Sequence, residues 1–171
     1  MEPVLLPDAE HMHEEASPAL HPDLAELAFL LGTWVGEGDG EWPGTEPFTY
    51  SEEMRFEDVG DTFLTYAQRS WSPDDGSAIH LERGFVRPAG EGHVELVLAH
   101  PIGITEVAEG TVGDGALEVV STAVGLTSTA SPVTELRRRL EVRDGVLSYE
   151  LHMAMREIPL MWHVRGRLTP A

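Results

Sequence analysis

The sequence predicts an all-β protein, a ten-stranded antiparallel β-barrel with a short N-terminal helix, and three observations carry that reading. Short runs rich in β-branched and aromatic residues begin at Thr33 and continue almost to the C-terminal end. Turn chemistry interrupts them every 8–14 residues, in "DGEWPG", "EDVGD", "SPDDGS", "PAGEG", "HPIG", "GDG" and "RDG". Several runs alternate apolar and polar residues, as half-buried strands do. Consecutive hairpin-linked strands with so little helix close on themselves, because closure removes unpaired edges. A barrel of ten strands is too wide for side chains to fill, so it tends to enclose a ligand cavity.

Each element follows in order. Residues 1–20 are rich in Pro, Glu and His without hydrophobic periodicity and read as a flexible acidic tail, leaving 21–171 as the barrel domain. In "HPDLAELAFLLGTW", Pro22 and Asp23 suit a first helical turn. Leu24, Leu27, Ala28 and Leu31 then fall at i, i+3, i+4 and i+7, and Gly32 is a stop. The predicted strands are 33–41, 47–57, 62–71, 79–88, 93–100, 103–111, 116–122, 133–143, 146–155 and 160–168. Val94, Leu96, Leu98 and His100 share one face of their strand, which points His100 into the barrel; Leu147, Tyr149, Leu151, Met153 and Met155 share another, which turns His152 outward. Alternation separates Arg138 from Arg137 and Arg139, so most of that basic run reads as solvated exterior.

Composition narrows the function. The chain has 171 residues, one domain's length, and a formal net charge of -19. All eleven basic residues are arginine. So negative a surface repels phosphate backbones, which argues against nucleic-acid partners. With no cysteine, disulfides, zinc–thiolate sites, thiol nucleophiles, iron–sulfur clusters and covalent C-x-x-C-H haem attachment are all excluded. The N-terminal stretch lacks the basic and apolar regions of a signal peptide, and no window is long enough to span a membrane. The expectation is a soluble cytoplasmic protein without membrane partners.

Few motifs carry chemistry by themselves. "GTWVGEGDGEWPG" is not a dinucleotide fingerprint, because Glu41 stands where a third glycine would be needed and the context is a strand. Its glycines read better as places where a strand bends or another backbone approaches, with Trp34 plugging the core beneath. His11, His13, Glu14 and Glu15 in "HMHEE" have metal-ligand chemistry, but an unpatterned tail holds no rigid geometry, and adventitious binding is the better reading. There is no G-x-S-x-G elbow. His163, in "IPLMWHVRGRL", is ambiguous. Strict alternation groups it with Met161, Arg165 and Arg167 and would send it to solvent, whereas a residue near an open rim can point into a wide cavity.

Several stretches together resemble the nitrobindin family. "LGTWVGEGDGEWPG" is similar to its G-x-W-x-G-x-G signature at Gly32, Trp34, Gly36 and Gly38. "FTYSEEMRFEDVGDTFLTYAQRSW", "HLERGFVRP", "HVELVLAHPIGITEVAEG" and "LSYELHMAMREIPLMWHV" follow in the family's order, so the resemblance covers roughly residues 25–169. It implies a barrel like those of fatty-acid-binding proteins and lipocalins, holding one non-covalent haem b per subunit. It implies binding of nitric oxide and isomerisation of peroxynitrite to nitrate, and pairing as homodimers. The family's P-[LI]-x-x-H pattern falls on Pro159, Leu160 and His163, making His163 the implied axial ligand of the haem iron and the catalytic centre. By the same resemblance Ile79, His80, His100 and Met153 lie around the haem, with His100 where members can carry glutamine. Ser131 stands where many carry a lysine near the haem, so a cationic partner for a propionate is missing or comes from an arginine such as Arg165. Two other readings stand beside this one: a haem-free barrel for a small apolar metabolite, and a nitric oxide carrier or sensor without turnover.

Overall fold

A computed structural model describes residues 19–171, so the acidic tail up to Ser17 and Pro18, with the "HMHEE" cluster, lies outside the described residues. From Gly32 onward the chain is ten antiparallel strands: β1 (Gly32–Gly40), β2 (Phe48–Asp58), β3 (Leu64–Trp71), β4 (Ala78–Pro88), β5 (His93–His100), β6 (Ile104–Gly113), β7 (Ala116–Leu126), β8 (Val133–Arg143), β9 (Val146–Met155) and β10 (Ile158–Pro170). Each pairs with its sequence neighbour, and β1 pairs with β10 to close the barrel. Two of the tightest turns are the Asp-Gly pairs expected from "GDG" and "RDG". Asp114–Gly115 and Asp144–Gly145 all have positive φ, the backbone a type I′ hairpin turn requires.

The helix differs from expectation in its period. Pro22–Leu30 is a 3-10 helix, in which residues three apart eclipse one another. Leu24, Leu27 and Leu30 therefore make the buried face, while Ala28 is exposed and Leu31 only half-buried. Each fully buried leucine contributes roughly 2 kcal/mol, and together they close one end of the barrel against β4 and β6. Trp34 packs beneath them and donates its indole N–H to the Leu30 carbonyl at 2.8 Å.

The signature glycines serve packing. A Cβ at Gly36 would run into the backbone of Arg167 and Leu168 on β10, and one at Gly38 would run into the Tyr50 ring. The interior has two unequal parts. A dense apolar core fills the helix end, from Leu24 and Trp34 to Leu147 and Leu168. A looser cluster of Ile104, Val133 and Leu136, with Leu151 and Met153 against it, lines the other end. There the β7–β8 ladder stops at Val120↔Arg137, and the barrel opens. Among the described residues no helix is long and apolar enough to cross a membrane.

Candidate functional site

The open end holds a cavity of about 310 Å³. Its walls are apolar, from Phe48 and Ile79 to Leu136 and Met153, and its floor is polar, made of Gln68, Glu82, His100, Arg138 and Tyr149. Most ligand sites have this composition, with apolar walls and a few polar groups that fix orientation.

His163 lines this cavity, and a β-bulge puts it there. On β10, Trp162 pairs with His152 and Val164 pairs with Leu151, so β10 spends two residues where β9 spends one. The extra residue is His163, and it inverts the alternation. Beyond the bulge Val164, Gly166 and Leu168 face inward and Arg165 and Arg167 outward; before it, Met161 shares a face with the cavity-lining Met153. Trp162 lies outside, with the Arg165 guanidinium 5.1 Å from its ring. The sequence's two-residue period therefore misplaces His163 at one of the two places where the register of β10 against β9 shifts.

The imidazole is held firmly. Its Nδ1 lies 2.9 Å from the Glu41 carbonyl oxygen, which can only accept, so Nδ1 carries the proton and Nε2 keeps its lone pair. Trp42 contacts the ring edge-on at 5.0 Å and Phe48 at 6.3 Å. Burial pulls the ring's pKa below its ordinary value against the opposing effect of the Glu41 carbonyl, and His80 adds to the lowering. His163 is therefore a neutral, oriented nitrogen donor, the form a metal requires.

Half way round the barrel, on β4 and β5, His80 and His100 approach each other at 3.3 Å between Nε2 and Nδ1. Both lie near Glu82, which with Glu106 grips Arg138: Arg138 Nη1 donates to Glu82 at 2.9 Å and Nη2 to Glu106 at 2.8 Å. Tyr66 donates to the same Glu82 oxygen at 2.7 Å. Burial alone would raise both carboxyls, but the Arg138 guanidinium outweighs it and holds them below the usual carboxylate range, with His100 helping in each case. The basic run thus divides as alternation says, yet its inward member is the structural centre of the cavity floor. Glu52 forms a second buried group, accepting from Tyr149 at 2.9 Å and Gln68 at 3.2 Å.

Of the sequence-predicted site residues, His163, His80, His100, Met153 and Ile79 come together around this one cavity. Ser131 does not line it; it lies exposed in the β7–β8 connection, its carbonyl accepting from Val133. Arg165 faces outward and pairs with Asp39 at 3.1 Å. Among the residues lining the cavity, Arg138 is the guanidinium present, and both carboxylates engage it. Sequence reading missed Glu52, Glu82, Glu106 and Arg138. Their signal was a charged residue on an otherwise apolar strand face, as Glu106 between Ile104 and Ala108, or Arg138 between Leu136 and Leu140.

Closed barrel, apolar cavity and one oriented imidazole at its wall define a cofactor- or ligand-binding β-barrel. The chain belongs to the family of THAP4-like, heme-binding beta-barrel domains, the nitrobindin family, whose family model matches residues 23–169. It is 48% identical over 153 residues to a protein named peroxynitrite isomerase 2 from Mycobacterium marinum (strain ATCC BAA-535 / M), covering 87% of this chain and 95% of that one. A peroxynitrite isomerase of Nocardia farcinica (strain IFM 10152) is 46% identical over 158 residues, covering 90% and 94%. The crystal structure of Rv2717c from M. tuberculosis superposes with a TM-score of 0.83 at 41% identity, covering 89% of this chain and 99% of that chain.

Proposed function

We propose that the protein binds one b-type haem non-covalently through His163 Nε2 and isomerises peroxynitrite to nitrate, with nitric oxide as a second small ligand. The observation that carries this reading is the bulge-borne His163, whose Nδ1–H is committed to the Glu41 carbonyl and whose other nitrogen is free to coordinate. When bound, iron porphyrin would supply a Lewis-acidic centre that takes nitric oxide as a ligand and takes peroxynitrite so that its oxygen atoms can rearrange to nitrate. The chain's own residues do the rest. Leu136, Leu151 and Met153 offer an apolar wall suited to a porphyrin face and exclude water from it. Half-exposed Ile79 and exposed Ile102 extend that wall to the rim. His80 and His100, across the barrel, present imidazole nitrogens that can hydrogen-bond a small anion held in the cavity. The absence of cysteine supports non-covalent attachment. A cytoplasmic setting and pairing of two barrels belong to the same reading; light scattering reads the pairing directly.

The test is haem reconstitution of the full chain. A Soret band lost or displaced in His163→Ala is the expected result; a spectrum the substitution leaves unchanged would remove His163 as the ligand. Stopped-flow decay of peroxynitrite with nitrate yield then separates turnover from carriage. Decay no faster than with free haem would leave a carrier. No haem uptake at all would leave a barrel for an apolar metabolite.

A further inference from the structure

We propose that His80, Glu82 and His100 form a second site in the cavity, one for a divalent first-row metal ion, with Zn2+ the best match, separate from His163. Three side-chain atoms from two adjacent strands, His80 Nε2, His100 Nδ1 and Glu82 Oε2, lie within 4.8 Å of one another. Their separations are 3.3 Å between the two nitrogens, 3.5 Å from His80 to Glu82 and 3.3 Å from His100 to Glu82. Tetrahedral zinc with nitrogen and oxygen ligands at about 2.0–2.1 Å spaces those ligands about 3.3–3.4 Å apart. An ion at that bond length sits only about 0.6 Å off the plane of these three atoms, close to the offset of a regular tetrahedron. The triangle is already the face of a coordination shell, so binding needs little side-chain movement.

The surroundings agree. His100 is 6% exposed at its side chain, and its Nε2 is buried without a hydrogen-bond partner. With Nδ1 on an ion, Nε2 carries the ring proton and points at the Glu106 carboxylate 3.8 Å away, the carboxylate–histidine–metal arrangement that orients ligating imidazoles. That distance is longer than a hydrogen bond, and a shift of about half an ångström toward Glu106 gives the orphan nitrogen its partner. Glu82 is held in turn by Tyr66 and Arg138 Nη1 at Oε1, while Oε2 accepts from Arg138 Nη2 at 3.1 Å and keeps its second lone pair for the ion. One guanidinium between two carboxylates leaves the cluster one negative charge; a divalent ion brings the net to one positive charge, which suits an anion in its fourth position. All three ligands line the cavity, so the ion's fourth position is available to a water or a small anion.

The experiment is equilibrium dialysis of the full chain against Zn2+, with bound zinc counted separately from iron. Because His11 and His13 have ligand chemistry of their own, the parent is the His11→Ala/His13→Ala variant. One zinc per chain is expected in that parent and in the parent carrying His163→Ala, with binding weakened roughly tenfold or more by His100→Gln and by His80→Ala. His80 is a third exposed, which makes His80→Ala the safer substitution if His100→Gln fails to fold. Co2+ added to the His163→Ala protein reads geometry, since four-coordinate Co2+ gives intense visible d–d bands. No zinc in the parent, or uptake by both ligand variants equal to the parent's, overturns the site. A Soret band measured on the same parent keeps this result distinct from the haem reading.

Discussion

His163 and Glu41 are joined twice through the backbone. The imidazole Nδ1–H donates to the Glu41 carbonyl at 2.9 Å, and the Glu41 N–H donates to the His163 carbonyl at 2.8 Å. The group that sets the ring's tautomer therefore belongs to the main chain just past β1, out of reach of side-chain substitution. Glu41→Ala is expected to change stability by no more than about 0.5 kcal/mol and to leave haem affinity alone. Glu41→Pro removes the N–H and restrains φ, and is expected to raise the haem dissociation rate about tenfold or more. Rates of haem transfer to excess apomyoglobin measure both. Equal rates in the two variants would mean that this double link does not orient the ligand.

Gly38 supports the site from the next strand. Tyr50 lies against its α-carbon and bonds Tyr149 at 2.6 Å and the Arg165 carbonyl at 3.1 Å. Gly38→Ala places a methyl group where the ring is, and overpacking of this kind costs about 1–3 kcal/mol. Gly113→Ala, with open space around its α-carbon, is expected within about 0.5 kcal/mol of wild type. Urea denaturation of the pair tests the contrast, and equal midpoints would show that the signature glycine is not needed for Tyr50 packing.

The strands were legible because alternation and turn chemistry are local properties. Asp114–Gly115 and Asp144–Gly145 fix their hairpins whatever surrounds them. Failures came where a tertiary feature overrode a period. The 3-10 helix exchanged Ala28 and Leu31 for Leu30 because its turn is shorter than that of an α-helix. His163 changed sides because a bulge, which no local residue pattern announces, shifted the register of β10. Glu82, Glu106 and Arg138 are separated by 24 or more residues in the chain, so only the closed barrel reveals that they neutralise one another.

That cluster makes a strong demand on stability. Arg138→Met would leave two buried carboxylates facing each other unpaired, and breaking such a group costs about 3–5 kcal/mol. Glu82 and Glu106 have lowered folded-state pKa values, so their pairing with Arg138 stabilises above the ordinary carboxylate range and is lost as pH falls through the lowered values. Wild type is therefore expected to lose stability toward acid, while Arg138→Met recovers part of its deficit there as the orphaned carboxyls protonate. Urea midpoints across the acid range measure this, and a deficit independent of pH would contradict it.

Glu52 works in the opposite direction. It is fully buried, its Oε1 has no partner, and burial raises its carboxyl from the ordinary 4.5 to about 7 against the hydrogen bonds of Gln68 and Tyr149, which lower it. A raised folded-state value means the native protein binds the extra proton. Glu52's contribution is fully favourable below the unfolded value and is lost as pH rises through about 7. The shift corresponds to about 3 kcal/mol between the two limits. Glu52→Gln keeps the shape and a hydrogen-bonding amide but carries no charge to bury. It is expected to match wild type within about 1 kcal/mol around pH 4 and to exceed it by up to about 3 kcal/mol around pH 9. Thermal unfolding across that range reads the difference directly. A stability gap that does not open through neutral pH would show that Glu52 ionises in the folded barrel without penalty.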